Sequence, residues 1–182
     1  MPVTVVILAA GEARRFGTQK LLHPLAEGDT LLERAVRAAG GFDTVVVCGA
    51  EVEPHAQRLG ARTIRNDEPE RGMAHSLRLA NAAVDADAAI AVLPADLLLP
   101  ERAGLAHVIA QAGECDITYP QRSDGTPGHP VVFSPFARAL IVALPDNEPI
   151  ARVRDAELLT RRRVPIEDAW PYRDVDVPGD LP

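Results

Sequence analysis

Apolar positions along the chain fall into short unbroken runs, separated by longer stretches in which they recur every three or four residues. Val3–Leu8 (VTVVIL), Thr44–Cys48 (TVVVC) and Ala89–Leu93 (AIAVL) are the runs. Being continuous rather than alternating, they predict strands buried on both faces, as at the centre of a parallel sheet. Thr30-Leu-Leu-Glu33 has the pattern of a capping box and predicts a helix through about Ala39. Further helices are predicted at Val52–Leu59, Met73–Val84, about Glu101–Gln111 and Ser134–Leu144. Arg62–Arg65 and Asp116–Tyr119 read as short strands, and Ser123–Gly128 (SDGTPG) as a turn between two extended pieces. Beyond Asp146 the pattern weakens: a helix is expected near Ile150–Leu159, then an edge strand, and Asp174–Val177 as a closing strand. Alternation of strand and helix over the first two thirds predicts a three-layer α/β/α arrangement on a mostly parallel twisted sheet. We expect one domain spanning residues 1–182.

Charge narrows the partners. A formal charge of −7 and a pI near 5.2 exclude a broad nucleic-acid or membrane-binding surface. They leave room for a small anionic substrate where positive charge is concentrated, as at Arg14, Arg15 and Lys20. Cys48 and Cys115 have no metal-type spacing and read as reduced, buried thiols. Val3–Ala10 is too short and lacks the basic flank of a signal peptide, and no apolar stretch reaches membrane-spanning length. A cytoplasmic location is expected.

Candidate chemistry begins directly after the first strand, at LAAGEARRFGTQK, Leu8 to Lys20. Loops at the carboxyl ends of parallel strands are where such sheets gather ligands. Gly11 and Gly17 would allow backbone N–H groups to approach a phosphate. Spacing alone leaves two readings open, a phosphate-binding loop and a plain strand-to-helix turn with solvated arginines. Lys20 is the chain's only lysine, although it carries 19 basic residues. A lysine is a compact point charge with rotatable donors where an arginine is a planar fork, so the exchange is not neutral at a phosphate.

The segment Leu8, Ala9, Ala10, Gly11, Ala13, Arg15, Phe16, Gly17, Lys20 resembles the signature loop of nucleotidyltransferases related to the molybdenum cofactor enzymes MobA and MocA. Ala13 stands where that family has Gly or Ser. The resemblance implies a Rossmann-like nucleotide-diphospho-sugar transferase fold. It also implies that this loop wraps a nucleoside triphosphate, with Arg15 and Lys20 on the phosphates. Further segments follow in the family's order. Asn66 to Arg78 (NDEPERGMAHSLR) is similar to the stretch beside the nucleobase and triphosphate, which assigns Asn66, Gly72, Met73 and Ser76 to nucleotide binding. Ala74-His75 leans instead toward sugar-phosphate nucleotidyltransferases. Asp96 follows a buried strand where the family has Gly-Asp-x-Pro, although Ala95 and Leu98 replace its Gly and Pro.

The resemblance makes Asp96 a Mg²⁺ ligand and a catalytic residue with Arg15 and Lys20; in isolation it could equally cap a helix. Gly128-His129-Pro130-Val131-Val132-Phe133 is similar to a segment of the MocA-like branch and places His129 near the acceptor, a fixed Pro130 bend being the alternative. Asp174-Val-Asp176-Val-Pro178 resembles the segment that closes the family core and makes Asp176 the second Mg²⁺ ligand. The family's G-D-x-G-x-R segment is replaced here by Pro145-Asp-Asn-Glu-Pro-Ile-Ala-Arg152, and Arg161-Arg162-Arg163 reads as a solvated edge strand.

The implied activity is Mg²⁺-dependent transfer of a nucleotidyl group from an NTP to a small phosphorylated acceptor, with pyrophosphate released. Ala10 favours CTP, with molybdopterin as acceptor. One rival uses GTP or UTP with a sugar phosphate or other small phosphorylated acceptor. A rival of another class is a non-catalytic nucleotide-binding or cofactor-delivery protein.

Overall fold

The structure is a computed structural model that describes residues 1–11, 19–98 and 102–166. Among the described residues, seven strands form one sheet: β1 (Val3–Ala9), β2 (Asp43–Cys48), β3 (Arg62–Arg65), β4 (Ala89–Pro94), β5 (Ile117–Gln121), β6 (Val131–Phe133) and β7 (Arg161–Pro165). They lie in the order β3-β2-β1-β4-β6-β5-β7. All neighbours are parallel except β6, which runs antiparallel to β4 and β5. Helices cover both faces: α1 (Leu31–Ala38), α2 (Glu53–Arg58), α3 (Gly72–Ala83), α4 (Arg102–Ala110), α5 (Pro135–Val142) and the single turn α6 (Ala151–Arg154).

The two-residue period of a strand builds the three layers. Along β1, Val5 and Ile7 enter a core with Leu31 of α1 and Leu105 of α4, whereas Val6 enters a second core with Leu77 of α3 and Ile141 of α5. The strand is buried on both sides, as its unbroken apolar run predicts. Cys48 ends β2 fully buried, and that burial pushes its thiol up to about 11, with the Glu53 charge adding to the effect. The thiolate is the reactive form, so Cys48 should remain unmodified by a thiol reagent at pH 8 until the protein unfolds. Mass spectrometry of the labelled native protein checks this.

Thr30 caps α1 as expected: its hydroxyl accepts from the Glu33 N–H at 3.2 Å, and the Glu33 carboxylate accepts from the Thr30 N–H at 2.7 Å. α3 is closed at its other end by a residue from a different helix. Arg138 of α5, only 4% exposed, donates to the Asn81 side chain at 2.7 Å and to the carbonyls of Asp85 (2.7 Å), Asn81 (3.2 Å), Val84 (3.3 Å) and Ala88. The last carbonyls of a helix have no partner within it, and this guanidinium supplies several at once.

Two expectations need correction. The helix near Ile150–Leu159 shrinks to Ala151–Arg154. Arg161 explains where it stops: its guanidinium donates to the carbonyls of Arg154 (2.7 Å) and Ala156, drawing them out of any continuing helix. The arginine triplet does sit on an edge strand, but it is not merely solvated. Arg161 fastens the end of α6, and Arg163 donates to the Tyr119 hydroxyl at 3.2 Å. The expected strand Asp174–Val177 lies outside the described residues. Among the described residues, no helix is long and apolar enough to cross a membrane.

Candidate functional site

From β1 the chain moves outward one way through β2 and β3, then returns to place β4 on the other side of β1. That reversal makes the carboxyl ends of β1 and β4 the switch point of the sheet, where open α/β sheets bind ligands. A cavity of about 280 Å³ opens there. Leu8, Ala10 and Gly11 from the end of β1 line it, as do Lys20, Gly72, Met73 and Ser76, and Asp96 from just beyond β4. A Cβ placed on Gly11 would meet no atom of the described residues within 4 Å.

Lys20 and Asp96 are 76 residues apart and form an ion pair, Nζ to Oδ2 at 2.8 Å. Local structure explains how each arrives. Lys20 opens a short 3-10 turn, Lys20–Leu22, whose Leu21 is buried and fixes the turn to the core. Asp96 follows Ala95, whose N–H donates to the Leu8 carbonyl at 3.0 Å and so extends the β1–β4 pairing. With side chains 13% and 30% exposed, the two charges are held close but remain reachable from the cavity.

α3 supplies the adjoining wall. No side chain caps its start, and the 3-10 turn Pro69–Arg71 delivers the chain to Gly72 at φ 81°. Ser76 faces the cavity because Asn66, 1% exposed, donates to its hydroxyl at 2.9 Å. Asn66 also accepts from the Glu68 N–H at 2.9 Å. Asn66 therefore stands behind the wall and orients it, and does not itself line the cavity. Ala9 likewise turns its side chain into the core at 1% exposure, leaving only its backbone to face a ligand. His75 is buried in the first turn of α3, with its Nε2 3.7 Å from Glu68 Oε2.

His129 sits beside the cavity rather than in it, before a cis peptide bond to Pro130. Burial holds its ring below the usual histidine range, opposed by a hydrogen bond to the Val92 backbone and by the Asp96 charge. Its Nδ1 is buried and has no hydrogen-bond partner among the described residues. Nearby, Arg154 lies 5.9 Å from the centre of the Tyr119 ring, and its charge also acts on His129. Arg15, Gly17 and Asp176 lie outside the described residues. Sequence reasoning missed Leu21, Pro69 and Pro94 as lining residues. Leu21 directly follows one segment already singled out and Pro69 lies within another, which was the available signal.

Asp96 offers a carboxylate at the cavity, and the ammonium of Lys20 already occupies the position of a cation against it. Among the described residues, no group of three or more His, Cys, Asp or Glu could hold a metal. A Mg²⁺ ion tolerates this, since it commonly takes one or two carboxylates and completes its shell with water and phosphate oxygens.

Residues 5–162 match the MobA-like NTP transferase domain, and the chain belongs to that family. It is 35% identical over 121 residues to the bifunctional protein GlmU of Paracidovorax citrulli, a match that takes in 60% of this chain and 25% of that one. The chain thus spans about a quarter of the length of this curated relative. Among solved structures, a homologue of Mycobacterium tuberculosis Rv0371c from Mycobacterium sp. strain JC1 superposes with a TM-score of 0.83 at 27% identity, covering 98% of this chain and 92% of that one. The inositol-1-phosphate CTP transferase of T. maritima shares the fold at a TM-score of 0.79 and 16% identity, over 98% and 91% of the two chains.

Proposed function

We propose that the protein is a nucleotidyltransferase that uses an NTP, CTP by preference, and a small phosphorylated acceptor, with molybdopterin the acceptor that the loop resemblance favours. The observation that carries the reading is the pairing of Lys20 with Asp96 in a cavity at the switch point of the sheet. A phosphate oxygen of the acceptor attacks the α-phosphorus, the bond from that phosphorus to the β-phosphate bridging oxygen breaks, and pyrophosphate leaves. Charge accumulates on the departing pyrophosphate, and a fixed ammonium in a recessed site stabilises it. Lys20 has that role, with Arg15 beside it on the signature-loop resemblance. Gly11 lets the backbone approach the phosphates, while Gly72, Met73 and Ser76 contact the nucleoside. Asp96, together with Asp176, would hold Mg²⁺, which when bound neutralises and orients phosphate oxygens. No protein nucleophile is needed.

His75, which suggested a sugar-phosphate enzyme using another nucleotide, is buried in the first turn of α3 and does not line the cavity. The rival's acceptor class, though not its nucleotide, has a parallel in the inositol-1-phosphate CTP transferase of T. maritima, which shares the fold. Titrating CTP, GTP, UTP and ATP with Mg²⁺ by calorimetry tests the reading. We expect CTP to bind best, and Lys20→Ala to weaken it by about tenfold to a hundredfold, the loss of one charge-assisted phosphate contact. If no triphosphate binds, the nucleotide site is refuted. Pyrophosphate release with added acceptors then separates a transferase from a binding or delivery protein.

A further inference from the structure

The wall formed by Gly72 and Met73 is fastened from behind by a loop 75 residues further along the chain. Asp146 lies in that loop, between α5 and α6. Its Oδ2 accepts from Arg71 Nε at 2.8 Å, and its Oδ1 accepts from Arg78. Arg71 immediately precedes α3, and Arg78 is on α3 itself. One carboxylate therefore ties the entry turn and the helix together. Each arginine has a second tie, Arg71 to the Glu68 carboxylate at 2.9 Å and Arg78 to the Leu144 carbonyl at 2.7 Å. The next residue, Asn147, donates its backbone N–H to the Arg71 carbonyl at 3.0 Å and adopts φ 62° to do so. The two backbones are in close contact: a Cβ on Gly72 would lie 2.8 Å from Asn147 Oδ1 and 3.1 Å from its Cα. Gly72 is thus required twice, by its own positive φ and by the loop packed on it.

We propose that Asp146 is a positioning residue for the nucleotide: it holds the Gly72–Met73 wall at the spacing the ligand needs and sets affinity without touching the ligand. The inference rests on the nucleotide-site reading above. Two properties support a role in binding more than in stability. Asp146 and Arg71 are each 38% exposed, and ion pairs that open to water contribute little to folding. Met73, by contrast, is 41% exposed at the cavity, so the position of its side chain depends on the backbone turn that carries it. A wall already held in its bound arrangement costs less to order on binding, so releasing it weakens a fitted ligand.

The test compares wild type, Asp146→Ala and Asp146→Asn, titrating CTP, GTP, UTP and ATP with Mg²⁺ and recording thermal melts. For the nucleotide bound best, Asp146→Ala should weaken affinity by about five- to tenfold, the scale of one charge-assisted contact felt indirectly. Its melting temperature should stay within about 3 °C of wild type. Asp146→Asn should fall between the two, because its amide oxygen can still accept from one arginine. Unchanged affinity in both variants, with wild type binding normally, overturns the proposal. So does a loss of affinity that only follows a loss of folded protein. Tighter binding in Asp146→Ala would also overturn it, since it would mean that a released arginine contacts the phosphates directly. If wild type binds none of the four, the nucleotide-site reading itself fails, and the positioning role with it.

Discussion

Asp96→Asn should lower nucleotidyl transfer at saturating substrates by about two to three orders of magnitude, the range seen when one electrostatic group is removed from a preorganised site. The substitution keeps the shape and removes the charge. An asparagine oxygen can still accept a hydrogen bond from Lys20, at the 2.8 Å at which the carboxylate now accepts it. The fold should therefore survive, and the melting temperature should shift by no more than about 2–4 °C. What disappears is the anionic oxygen that, on the proposed function, would hold a divalent cation. Lys20→Ala removes the other half of the pair and leaves Asp96 without its counter-charge. Because the two charges already interact in the free protein, their losses should not add. The double variant should be within about a factor of ten of the worse single variant, whereas independent sites would multiply. Pyrophosphate release measured for all four proteins decides. Multiplying losses, or an Asp96→Asn enzyme with near wild-type turnover, would separate Asp96 from the chemistry.

The largest expected effect on stability is far from that cavity. Arg138→Met should destabilise the protein by about 3–5 kcal/mol, the range for removing one partner from a buried charged network. Five acceptors from the end of α3 and the segment after it converge on this side chain, 4% exposed. Methionine fills much of the volume and satisfies none of them. At this chain length the loss corresponds to a fall in melting temperature of about 8–15 °C. Arg138→Lys should recover only part of it, since three donors on one nitrogen cannot reach acceptors spread around a planar fork. Calorimetric melts of the three proteins check this, and a fall below about 3 °C for Arg138→Met would mean that water replaces the guanidinium at little cost.

Both effects bear on what could be read in advance. The strands were legible because a strand buried on both faces leaves an unbroken apolar run, and β1, β2 and β4 all do. Thr30 and Glu33 announced α1 because a capping box is complete within four residues. The end of α6 was not legible, since it is set by Arg161 on a later strand and not by its own residues. At the site, Leu8–Gly11, Lys20 and Asp96 could be placed together because their order along the chain fits a known pattern. Asn66 was read as a nucleotide contact, yet its amide faces Ser76 and Glu68. Sequence marks a residue as belonging to a site more readily than it says which side of the wall it stands on. Asp146 fell in a segment noted only for departing from the family pattern, and Arg138 left no trace: each acts on partners fifty or more residues away, with no repeat or spacing to betray the pairing.

The antiparallel strand β6 has one more consequence. Central β1 is matched to each of its neighbours over six positions, whereas β6 meets β4 over three and β5 over two. This narrow seam divides the sheet into β3-β2-β1-β4, which carries Lys20 and Asp96, and β5-β7, which carries Tyr119 and Arg163. Few backbone registers cross it, so substitutions on the far side can accumulate without disturbing the geometry around the phosphates. On the function proposed here, changes in β5 and β7 would leave the Lys20–Asp96 end of the site in place.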